Sequence, residues 1–308
     1  MEVAAAAPVL LEQQEWRARE AAHHERVDGL LAGHLERARR GLKHPVEDFL
    51  FTYYSLRPAQ LRRWHPGVGV ALLGEATRER SRWRDHVLVG VPGAGRGATA
   101  DGAMRAAVTL DVRAFLARRG EAVRHVRALL AATASRPPQL GCFGLHEWAM
   151  VYRQDPDAVR HPSWPLRLGL AGTDAVVERH RIRCSHHDAY RFFTPAARPL
   201  NALRPGREDA AEFEQPGCLH ATMDLYKWAY KLLPAVPSEL VVDAFVLARD
   251  VRELDMRASP YDLTALGYSA VRVETPEGKA AYVAAQRVFA ERGAAVRSRL
   301  LAALKSLN

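Results

Sequence analysis

Between Leu219 and Leu233 apolar residues recur at helical spacing. Leu219, Met223, Tyr226, Tyr230 and Leu233 line one face, and Leu225, Trp228, Ala229 and Leu232 widen it until little of the helix is left for water. The polar remainder is a narrow stripe in which His220, Asp224, Lys227 and Lys231 stack along one line. Such a line is either a thin solvated edge or the wall of a site. Pro234 ends this helix, and a second is predicted from Glu239 to Arg257, with Asp243, Asp250, Glu253 and Arg257 as its own polar line. Together they form a helical hairpin, the organising element of the chain.

Elsewhere the pattern predicts more helix than strand. An amphipathic helix is expected over 13–40, built on Trp16, Val27, Leu30, Leu31 and Leu35. A second, over 45–55, has Pro45 in its first turn and Glu47 and Asp48 at its positive end. Others are expected over 120–134, over 145–152 and, capped by Thr275 with Pro276 in the first turn, over 276–306. Short strands are predicted at 87–91, 106–112, 176–185 and 270–274, with the glycine-rich stretch 90–102 as an exposed loop and residues 1–12 as a frayed arm. The His65–Leu73 segment has the Pro-Gly-Val-Gly of a helix-hairpin-helix turn or of an ordinary turn. The expected architecture is therefore mainly α, of the α+β class: a single helical domain over 1–308 with a few short strands.

Charge adds a partner to this picture. The net charge is +9, which favours a polyanion such as DNA or RNA. Only five of the 44 basic residues are Lys, so the pair Lys227 and Lys231, one turn apart, marks a place where an ammonium is wanted rather than a guanidinium. Arg57, Arg62 and Arg63 with Trp64 form a basic, aromatic cluster, either one suited to phosphates or simply solvated arginines beyond a core aromatic helix. Three cysteines, Cys142, Cys184 and Cys218, are widely spaced and give neither a disulfide framework nor a zinc-finger pattern, which suits a reducing cytoplasm. No apolar run is long enough to span a membrane.

Histidines and acids pair repeatedly: His44 with Glu47 and Asp48, His146 with Glu147, His187 with Asp188, His220 with Asp224. Converging, they would hold iron, manganese or zinc, with His187, His220, Asp224 and Glu147 as ligands; apart, they are caps and core hydrogen bonds. Cys142 and His146 lie on one short segment, either a nucleophile and its base or a buried structural thiol beside a histidine. Trp148, Phe192, Tyr226 and Trp228 each stand near a carboxylate, the combination that holds an extruded base and cleaves it from its sugar, or else simply core.

KHPVEDFLFTYY, RPAQLRRWHPG, GCFGLHEWAMVYR, RFFTPAARPLN and EQPGCLHATMDLYKWAYKL resemble a bacterial family that usually carries the name 3-methyladenine DNA glycosylase. The likeness covers most of the chain outside the first dozen residues and the 90–102 loop. It implies an enzyme, without a cofactor, that excises alkylated bases from DNA. On that reading Asp224 or Glu147 is the activating carboxylate, supported by His220 and Lys227. Trp148, Phe192, Tyr226 and Trp228 stack the base, and Arg57, Arg62, Arg63 and Arg191 hold the backbone. Neither a helix-hairpin-helix catalytic unit nor an array of helical repeats is evident, so no catalytic residue carries over from the glycosylases that use those folds. The alternatives are a helical metalloenzyme acting on a small molecule and a nucleic-acid-binding protein without chemistry.

Overall fold

The computed structural model describes residues 7–92, 104–155 and 164–307. In chain order the elements are β1 (Val9–Leu11), α1 (Gln13–Arg39), α2 (Phe49–Tyr53), α3 (Pro58–Arg62), β2 (Val70–Leu73), α4 (Thr77–Arg80), β3 (His86–Pro92), β4 (Met104–Leu110) and α5 (Val112–Ala134). There follow α6 (Leu145–Ala149), α7 (Gly169–Arg179), α8 (His187–Tyr190), α9 (Ala210–Phe213), α10 (Leu219–Lys231), α11 (Ser238–Arg257) and α12 (Pro276–Lys305).

The predicted hairpin is the centre of the molecule. Helix α10 packs on α11 and α12, and α5 closes the bundle against α12 and α9. Leu225, Tyr226, Ala229, Val242, Phe245 and Leu300 meet in one large core that also takes in the inner faces of α1, α5 and α7. Gly293 lets α12 approach α10 closely, since a Cβ there would stand 3.0 Å from the Thr222 methyl. The chain is a mainly α, single domain with a small sheet, as the periodicity predicts.

The sheet has the order β1-β2-β4-β3. Strand β1 runs parallel to β2 with Val9 opposite Val70, and β2 and β3 flank β4 in antiparallel register. This corrects the expected frayed arm: residues 9–11 are a paired strand with Leu11 buried, while 1–6 lie outside the described residues. It also decides the His65–Leu73 segment. Gly67 takes a left-handed φ of 89° against Pro237, and the chain then enters β2 rather than a second helix.

Other expectations need revision. Residues 90–92 continue β3, and the remainder of the glycine-rich loop falls outside the described residues. Of the strand expected at 176–185, residues 176–179 are the end of α7, where Thr173, Val176 and Val177 are buried at helical spacing that outweighs the β preference of the two valines, and 180–185 are irregular apart from an isolated bridge of Ile182 to Asn201. In place of the strand expected at 270–274, residues 270–272 are irregular, with Val271 N–H bonded to the Arg257 carbonyl, and 273–274 form a turn. Helix α5 starts eight residues before the prediction because the Asp111 carboxylate accepts from Ala114 N–H. The 45–55 helix shrinks to α2, since Asp48 turns back to cap His44 N–H.

Candidate active site

The polar line of α10 divides between a deep interior and a cavity. Asp224 is 2% exposed, and Lys227 and Lys231 follow it outward along the wall of a cavity of about 720 Å³ enclosed by α5, α8, α9 and α10. Leu225, Tyr226 and Ala229 fill the core, so the carboxylate has no route to bulk water except through the cavity. Three groups hold it: Tyr54 Oη donates to Oδ1 at 2.7 Å, Lys227 donates to Oδ2, and His186 Nε2 stands 3.4 Å from Oδ2. Lys227 also reaches Asp188 at 3.4 Å.

Glu214 approaches from the opposite side. It precedes the Gln215–Cys218 turn into α10 and places Oε1 3.5 Å from the same His186 nitrogen. Glu214, His186 and Asp224 are all buried, yet all line the cavity. Their environments push the two carboxyls apart. Burial raises Glu214 above the usual range; His186 pulls it back, and the negative Asp224 adds to the rise. Burial also works against the Asp224 carboxylate, but the Lys227 ammonium and His186 outweigh it and hold Asp224 well below that range. His186 is raised: burial opposes its charge, and Asp224 and Glu214 prevail. One carboxyl inclined to keep its proton therefore faces one held ionised, with an imidazole between them.

The mouth carries both charges and is partly aromatic, with Glu121, Asp188 and Glu208 in its lining. Arg191, Arg207, Lys227 and Lys231 line it with Trp228, whose ring lies 4.5 Å below the Lys227 ammonium. Burial and the neighbouring Lys227 lower Lys231. Arg119 donates to the Lys231 carbonyl, and Arg118, next in the chain, joins Arg63 and Arg84 around an adjoining pocket of about 340 Å³.

A second buried cluster lies behind the first. His146 in α6 places Nε2 2.7 Å from Asp255 Oδ1 and Nδ1 3.6 Å from the Cys142 sulfur. Arg252 bridges Asp255 Oδ2 at 3.0 Å and Glu147 at 2.9 Å, with its guanidinium 3.9 Å over the Phe49 ring. His220 joins the two clusters, its ring 4.5 Å from His146 and 5.4 Å from His186. Burial and the neighbouring imidazoles push His220 well below the ordinary histidine value.

The expected site residues are thus sorted. Asp224, Lys227, Trp228 and Arg191 come together at the cavity, and His220 lies one layer deeper. Glu147 does not reach the cavity, because the Arg252 guanidinium claims it. Trp148, fully buried, donates to the Ala258 carbonyl, and Tyr226 packs between Tyr54 and Phe245; both are core, not base-stacking walls. Phe192 lies under Arg191 outside the cavity wall. The basic cluster disperses: Arg57 is exposed, Arg62 is paired with Asp28 and Arg63 covers Trp83. The anticipated ligand set also fails to converge. His187 turns its Nδ1 to the Pro205 carbonyl, Asp224 is claimed by Lys227, and the metal-compatible grouping among the described residues is His146, His220 and Asp255.

His186, Glu214, Tyr54 and Asp255 were not selected from the sequence as site residues. Asp255 had a readable signal, since Ala248, Val251, Arg252 and Asp255 share the buried face of α11, where two charged residues are out of place. Glu214 had none, being the last acid of a polar loop.

The chain matches no known family model, no curated protein and no solved structure at a significant level. Among the described residues no helix is long and apolar enough to cross a membrane.

Proposed function

We propose that this protein is a hydrolase that cleaves an N-glycosidic bond in a phosphate-bearing substrate, and that the substrate is DNA carrying an alkylated, 3-methyladenine-type base. The observation that carries the reading is the pair of buried carboxyls, Glu214 and Asp224, displaced in opposite directions on either side of His186 at the floor of a cavity. The alkylated base, already cationic, leaves neutral as its glycosidic nitrogen takes the bonding pair from C1′, and protonated Glu214 steadies it with a hydrogen bond. Ionised Asp224 faces the positive charge that develops on the sugar, and water adds to C1′ with its proton passing to the Asp224 carboxylate. Tyr54 and Lys227 position Asp224.

The remaining features suit an extruded nucleotide. A volume of about 720 Å³ accepts one nucleotide, Trp228 offers an aromatic face, and Arg207 and Lys231 offer cations to the flanking phosphates, Arg191 being held by Asp188 at 3.2 Å. Arg119 beside Lys231, and Arg63 beyond it, extend that attraction along the surface, while Arg118 is neutralised by Asp85. Free Cys142, Cys184 and Cys218 suit a cytoplasmic location. The test is incubation of the purified chain with a methylated duplex and chromatography of the supernatant. Free methylated base, formed catalytically and abolished by Asp224→Asn, is expected; intact substrate after many enzyme equivalents contradicts the proposal.

A further inference from the structure

The buried cluster behind the cavity contains more ligand chemistry than the proposed hydrolysis uses. One ligand atom from each of His146, His220 and Asp255 lies within 4.8 Å of the other two. A metal bound at about 2.1 Å by nitrogen and oxygen sets such atoms about 3 to 3.5 Å apart, so His146 Nε2 and Asp255 Oδ1, now hydrogen-bonded at 2.7 Å, would exchange that bond and its proton for the ion. We propose that His146, His220 and Asp255 form a binding site for one divalent transition metal, zinc or iron(II).

Two independent observations support it. First, His220 is buried, makes ring contacts with His146 and His186, and forms no hydrogen bond among the described residues. Its ring borders the small cavity that His146 also lines, so an imidazole nitrogen is open to an ion there beside two other donor groups. Second, the partners that orient metal ligands are in place. Cys142 faces the remote nitrogen of His146, and Arg252 engages the remote oxygen of Asp255 while Glu147 anchors the guanidinium.

There is also an open side. His146 and His220 face a cavity of about 10 Å³, the space of one water, shared with Cys142, Cys218 and Tyr282. Cys142, Arg183, Ser185 and Gln215 separate it from an outer pocket of about 340 Å³, which is the route of entry. Two imidazoles and one carboxylate with an open position suit both metals named. A Cys142, His146 and Asp255 nucleophile arrangement uses the same contacts but leaves His220 without a role. This inference does not depend on the proposed hydrolysis, which runs in the other cavity.

The experiment is calorimetric titration of the chelator-treated full chain with Zn²⁺, and with Fe²⁺ under anaerobic conditions, beside melting curves. Wild type should take up one equivalent and melt at a higher temperature. His220→Gln should weaken binding by about 100-fold or more without lowering the melting temperature of the metal-free protein, because His220 supplies no hydrogen bond to lose. Asp255→Asn should also lose the metal, but it removes a partner of Arg252, so His220→Gln is the decisive variant. Absence of binding of either metal to wild type overturns the site. So does binding that His220→Gln leaves intact, or binding that only Cys142→Ser abolishes.

Discussion

Asp224→Asn separates a working carboxylate from a wet edge, because burial, bonding and chemistry each predict a different size of effect. Asn keeps the shape, and its oxygen still accepts from Tyr54, but its amide turns a donor toward the Lys227 ammonium and His186. The loss of a charge-assisted bond costs about 1.5 to 3 kcal/mol. The full penalty for stranding a buried charge, about 3 to 5 kcal/mol, is not reached. Lys227 retains Asp188 at 3.4 Å and borders the cavity. A solvated side chain would change stability by no more than about 0.5 kcal/mol. Urea unfolding at neutral pH therefore distinguishes the cases, with about 2 kcal/mol expected. The pH dependence supplies a second reading. Asp224 is lowered in the folded state, so its contribution is present above the unfolded value of about 3.9 and is lost as pH falls below it. Wild type and variant should converge in acid. Base release should fall by about 100-fold or more at neutral pH. A stability change under about 0.5 kcal/mol together with full activity would refute the placement of the site on this face.

The charge assignments give a further prediction: Lys231→Gln with Arg207→Gln should flatten the logarithmic salt dependence of DNA binding by about 2, roughly 1 for each phosphate left without its cation. Arg62→Ala should leave the slope unchanged, since Asp28 already neutralises that guanidinium; the reverse result in a filter-binding titration would move the interface to α3. His65 offers a stability test away from the site. Burial, with His86 and Arg80 nearby, lowers it to about 3, so its neutral form stabilises the fold above about pH 6.5 and that stability is lost as pH falls toward 3. At pH 5 the loss is about 2 kcal/mol. His65→Gln should flatten the acid side of the stability profile, and parallel curves for the two proteins would contradict the assignment.

The fold was legible where periodicity was strong, and the site only where polar residues interrupted it. Helices α10, α11 and α12 follow directly from their apolar faces and proline boundaries, and the Asp224 and Lys227 line stood out against them. Strand β2 was obscured because a run of four apolar residues after a glycine turn has no period of its own. The valines of α7 suggested a strand that burial on a helix overrode. Within the site, His186 stood beside His187, and nothing local says which of the two faces inward; the α8 turn decides it by sending His187 to the Pro205 carbonyl. The aromatic assignments erred because Trp148 and Tyr226 are as easily core as cavity wall, and only the packing of α6 and α10 resolves them. Glu214 acquires its character from three distant segments, those of His186, Asp224 and Arg297, which no window of sequence contains.

The claim that Glu214 is the acid and Asp224 its ionised counterpart is tested most directly by the pH profile of single-turnover base release from a methylated duplex, wild type beside Glu214→Gln. Glu214 is raised in the free protein, so the wild-type rate should hold on the acid side of its pKa and fall as pH rises through that value and the proton is lost. Glu214→Gln should be slower by about 100-fold or more and should lack that alkaline limb, because no proton remains to titrate. A variant that releases base at the wild-type rate, or that keeps the limb, contradicts the account.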